Sequence, residues 1–145
     1  MIATDNRGKA WALLLQRLAL AAFMTIWALD KFIRPEHAAG VFGYFYGIPL
    51  AESLTWLVGT VQLLVIAAFA LGFMKTWSYL LLLLFHAFGT ATTLNTLAHP
   101  YGEGSAILFW AAVPVLAAFW TQFALRHEDV IALDDRLRNR ATLQV

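Results

Sequence analysis

Apolar positions run together in four stretches, residues 10–33, 51–74, 77–97 and 106–125, with short polar breaks between them. Each is about as long as the ~20 residues a helix needs to cross a bilayer. The pattern therefore predicts an all-α fold, an integral membrane four-helix bundle. The breaks differ in kind. Lys75 and Thr76 leave room only for a tight turn, so the second and third spans should pack as an antiparallel hairpin. Between the first two spans, residues 41–50 set Phe42, Tyr44, Phe45 and Tyr46 among Gly43, Gly47 and Pro49. Aromatics gather at the depth of the membrane interface, which predicts a short interfacial helix or re-entrant turn across the outer mouth of the bundle; a plain aromatic anchor without a ligand is the alternative. Beyond Leu125 the chain turns charged, and residues 126–145 read as a cytoplasmic tail in which Val130, Ile131, Leu133 and Leu137 recur at near-helical spacing.

Composition strengthens the membrane assignment. Hydrophobic residues make up 61% of the chain and charged ones 13%, with mean hydropathy +0.67. A soluble bundle this small must expose much of its surface and would lack the charges to coat it. Asp5 ahead of the first span, and Gln16 and Arg17 within it, argue for a retained helix over a cleaved signal. Basic residues favour the cytoplasmic side. Arg7 and Lys9 precede the first span, Lys75 sits in the second connection, and Arg126, Arg136, Arg138 and Arg140 follow the last. Both termini are thus expected in the cytoplasm, in a multi-pass protein of the inner (cytoplasmic) membrane. Residues 98–105 should face outward, on a side where Lys31 and Arg34 sit among Asp30, Glu36, Glu52 and Glu103. The bilayer is the partner this composition implies, and nothing in it points to nucleic acid.

The chain has no cysteine, which excludes dithiol chemistry and thiolate metal sites. It also lacks a glycine-rich phosphate loop, an HExxH helix and a Gly-x-Ser-x-Gly elbow. Any chemistry must come from polar residues within the membrane, where a central charge costs roughly 2.5–3.5 kcal/mol and needs a partner or a purpose. Arg17 lies well inside span one. Lys31 follows within about 40° of the same face, beside Asp30 and level with Glu52 at the start of span two. Snorkelling to the headgroups is the alternative use of both cations. Gln62, with Thr55 and Gly59 on its face, falls near mid-depth of span two; His86, Thr90 and Thr93 lie within about 60° of one another in span three. These stripes could glue helices together or line a ligand site. Pro114 should free the carbonyl of Trp110 and let span four bend. His37, Asp30, Glu52, His99 and Glu103 gather at the outer end without a known ligand spacing, so no metal is assigned. No catalytic residue and no covalently bound cofactor is indicated.

Several short motifs carry a family resemblance. Span one holds Arg17-Leu18-Ala19-Leu20 and ends at Lys31-Phe32, Gly47-Ile48-Pro49 precedes span two, and Leu71-Gly72-Phe73 with Lys75 leaves it. In these features, across most of residues 13–125, the chain resembles the DoxX-like membrane proteins. It departs from their pattern at Ala28, where a glycine is usual, and at Gln62, where a glutamate is frequent. The resemblance implies a four-helix bundle and, from some relatives, a link to quinone-reducing sulfur oxidation or to membrane complexes handling oxidative stress. On that basis the first expectation is a redox-associated subunit binding a quinone or lipid-like ligand between helices, with Arg17, Gln62 and His86 as polar contacts and Thr90, Lys31 and Glu52 completing the ligand-binding set. The second is a non-catalytic accessory subunit of a larger membrane complex or a homo-oligomer, for which six Trp and eleven Phe offer contact surface. A small-solute permease ranks behind both, because no span shows a break or an inverted repeat.

Overall fold

The computed structural model of the chain describes residues 2–101 and 106–142, with the side chains of residues 2–6, 52 and 106 outside that description. Among the described residues the fold is all-helical. Helix α1, Ile2–Ile33, is 32 residues long. It stops because Arg34 precedes Pro35, and a residue before proline is driven out of the helical region; Arg34 sits at φ −137°. Pro35 then opens α2, Pro35–Tyr46, where a missing N–H costs nothing. Gly47, at φ 66°, closes α2. The first half of the segment expected at the interface is therefore the end of a 12-residue helix that begins before the aromatic stretch.

Helix α3, Glu52–Leu71, ends at Gly72, another left-handed residue (φ 66°), whose N–H donates to Phe69 O while that of Phe73 reaches back to Ala68 O. After this three-residue reversal, α4 runs from Lys75 to Thr92. The long third span expected over 77–97 is broken at Thr93, and a short α5, Leu94–Ala98, follows. The fourth apolar stretch opens as a 3-10 turn, Ala106–Ala111, and becomes α-helical only in α6, Ala112–Ala124. Pro114 is the third residue of α6, among the amides that have no intrahelical acceptor, so it starts the helix and does not kink its middle. Helix α7, Leu133–Thr142, completes the chain.

Helices α1, α3, α4 and α6 pack in a ring, α1 against α3 and α6, and α4 against α3 and α6, while α2 lies on α1 and α3. Leu20, Met24, Ile66, Phe69, Tyr79, Leu82 and Phe119 form the common core. Gly59 lets α3 approach α1, since a Cβ there would meet the Phe32 ring at 2.6 Å. Three segments are long and apolar enough to cross a membrane, Arg7–Ile33, Ser53–Leu71 and Ile107–Ala124. Helix α4 is not among them, although its sequence was expected to supply a span. The reason lies in what it buries: Lys75, Ser78 and Thr90 lower its mean hydropathy and are turned inward. Apolar side chains occupy the outside. Leu15, Ile26, Leu57, Leu64 and Leu84 are exposed, as are all six tryptophans, while Arg17, Gln122 and Asp129 are fully buried. That inversion is the signature of a chain whose solvent is hydrocarbon.

Candidate functional site

Two polar assemblies sit inside the bundle, one at each end. The first lines a cavity of about 860 Å³ between α1, α2, α3 and α4, reaching the start of α6. Its wall is overwhelmingly apolar and aromatic. Phe42, Phe45 and Tyr46 roof it from α2, and the Tyr46 ring stacks on Phe88 of α4 at 5.3 Å. Burial pushes the Tyr46 hydroxyl above its ordinary pKa, so it stays protonated in its bond to Thr92. Gly89 keeps this part of the wall thin; a Cβ there would meet only the Tyr46 hydroxyl, at 3.6 Å.

Four of the six expected ligand-binding residues border this cavity, Lys31, Gln62, His86 and Thr90, and so does Thr93. Lys31 Nζ donates to the Trp27 carbonyl one turn earlier, at 3.0 Å. Thr90 Oγ1 donates to His86 O at 2.8 Å, a local helical bond. His86 Nε2 lies 3.0 Å from Ala112 O, and its ring is held edge-on to Phe23 and tilted against Phe119. His86 thus bonds a backbone carbonyl of α6 and not Gln62. Gln62 is half-buried and makes no hydrogen bond within the described residues. Such a group is costly in an apolar wall, because the carboxamide gives up water without gaining a partner. Asp30 also borders the cavity but is bound to Arg34 and His37.

Arg17 lies apart, in the second assembly. Its Nη1 donates to Asp129 Oδ2 at 2.6 Å and to the Tyr79 hydroxyl at 3.0 Å, and its Nη2 donates to Ile131 O at 2.7 Å. Asp129 Oδ2 also accepts from Tyr79 at 2.7 Å and from Gln122 Nε2 at 2.8 Å. Lys75 is buried beside them, bonded to Asp135 Oδ2 at 2.6 Å and to Asp129 O at 3.1 Å, and Asp135 pairs also with Arg138. The Asp134 carboxylate caps α4 by accepting from the N–H groups of Met74 and Lys75. The segment after Leu125, read from the sequence as a charged tail, thus folds back onto the α3–α4 turn, and Glu128 pairs with Lys9. Gln16, next to Arg17, joins α1 to α6 through Ala118 O at 2.8 Å.

Of the remaining expected positions, the side chain of Glu52 lies outside the described residues, as does Glu103. Among the described residues no group of three or more His, Cys, Asp or Glu converges on one point. Sequence reasoning passed over Asp129, Gln122 and Tyr79. One signal was available: an arginine inside a span demands a carboxylate, and Tyr79 shares a helical face with His86, seven residues on. No family model, no curated protein and no solved structure matches the chain.

Proposed function

We propose that the chain is a DoxX-like membrane protein of the inner membrane with four spans and both termini cytoplasmic, a redox-associated subunit that holds a quinone or lipid-like ligand between its helices. The observation that carries this reading is the apolar cavity of about 860 Å³ with an unpartnered carboxamide, Gln62, in its wall. Cavities of this size and lining suit an apolar ring or chain bearing a few polar atoms. A quinone fits the residues present: Gln62 supplies donors for a carbonyl oxygen, and the aromatics from α2 and α4 supply faces for a ring. When bound, a quinone would supply the two-electron redox chemistry. Membrane crossing by α4 is supported by its antiparallel approach to α3 through a three-residue turn and by its 18 residues, about 27 Å of helix. The test is purification in mild detergent, with extraction and identification of bound quinones and lipids. Gly89→Trp should narrow the cavity beside Tyr46 and lower the amount of ligand extracted from a bundle that keeps its helical content; unchanged ligand in that variant would count against the cavity.

A second reading, an accessory subunit docked on a larger complex or on another copy, is favoured by α6. Only 11% of the residues in its apolar segment, Ile107–Ala124, are buried, and Leu108, Trp110 and Trp120 leave a broad apolar face. Co-purification of a stoichiometric protein, with a ligand-free cavity, would select it.

A further inference from the structure

The same cavity, taken as the ligand site proposed above, constrains the chemistry of its ligand. His86 Nε2 is 3.0 Å from the Ala112 carbonyl oxygen, which can only accept, so the hydrogen of the ring resides on Nε2. The ring is neutral: Phe23 and Phe119 flank it, no carboxylate among the described residues bonds to it, and an unpaired imidazolium is costly in such surroundings. A neutral imidazole protonated at Nε2 has a bare lone pair at Nδ1. That atom makes no hydrogen bond among the described residues and is not sealed from the outside, and the ring that carries it lines the cavity.

Gln62, on the same cavity, offers two N–H donors and a carbonyl, all uncommitted. His86 is therefore a fixed acceptor, and Gln62 is free to donate. A carbonyl or ether oxygen can accept from Gln62, but at Nδ1 it meets lone pair to lone pair. A hydroxyl can meet either group, donating to Nδ1 or accepting from the carboxamide. We propose that this cavity selects a hydroxyl-bearing apolar ligand, phenolic or alcoholic, over its carbonyl or ether counterpart, so that of a quinone couple it holds the hydroquinone.

Detergent-solubilised full-length protein would be titrated calorimetrically with a decyl-substituted hydroquinone kept reduced under anaerobic conditions, its dimethyl ether, the corresponding quinone, and farnesol as a lipid alcohol. The hydroquinone should bind about tenfold or more tighter than ether and quinone, the difference set by one unpaired acceptor. Farnesol binding close to that of the hydroquinone would assign the hydroxyl to lipid alcohols; weaker farnesol binding would assign it to phenols. His86→Phe keeps the ring packing and removes the acceptor, and should bring the hydroquinone down to the level of the ether. Gln62→Leu should weaken every probe while keeping their order. Quinone or ether binding as tightly as the hydroquinone overturns hydroxyl selection and leaves the cavity reading standing. Absence of saturable binding by any probe overturns both.

Discussion

Replacing Asp129 by Asn keeps the volume of a fully buried side chain and removes the charge that answers Arg17. The carboxylate oxygen Oδ2 accepts from Arg17, Tyr79 and Gln122 at 2.6–2.8 Å. An amide oxygen in the same place can still accept from two of them, so the neutral hydrogen bonds are largely retained. The loss is electrostatic. Arg17, 2% exposed, would keep Ile131 O and the Tyr79 hydroxyl but no counter-ion. Breaking one partner of a buried pair costs about 3–5 kcal/mol, and Asp129→Asn should fall in that range. Removing both charges, Arg17→Met with Asp129→Leu, should recover most of it, because neither ion then has to be desolvated. Equilibrium unfolding in mixed detergent micelles, followed by helical content, measures both variants and their coupling. A cost below about 1 kcal/mol for Asp129→Asn, or a double variant as unstable as the sum of the singles, would refute the buried-pair argument.

Gly72→Ala should destabilise by about 2 kcal/mol or more, since Gly72 sits at φ +66° and a Cβ would meet Ala132 Cβ at 2.6 Å and Arg17 Nη1 at 2.9 Å. Gly40→Ala, inside α2 with nothing within 4 Å, should instead stabilise by about 0.5–1 kcal/mol, and thermal unfolding of the two variants separates backbone strain from helix propensity. Brominated lipids should strongly quench the intrinsic fluorescence, because every tryptophan is about half exposed or more; unquenched emission would place these side chains against protein. A cysteine at position 142 should react with impermeant reagents only from the cytoplasm and one at 105 only from outside, with the reverse pattern inverting the topology.

A chain with so few charges has one stable environment, and this much is local: length and hydropathy of a segment are sums over neighbouring residues, so three segments long and apolar enough to span a membrane, and the helical fold of the described residues, were legible without any contact. Helix ends were equally local where Pro35 and Gly72 impose their own dihedrals. Gln62, His86 and Thr90 stood out because a polar group in hydrocarbon is costly wherever it sits, and the structure sets them around one cavity. Their pairing was not legible. Which carbonyl His86 chooses depends on how α4 lies against α6, and that rests on packing among residues far apart in the chain. The same holds for Arg17, whose carboxylate comes 112 residues later in a stretch whose charges suggest exposure to water. Asp129 could be identified only once the chain after α6 had turned back over the α3–α4 reversal, because burial of a charge is decided by its partner and not by its neighbours in sequence.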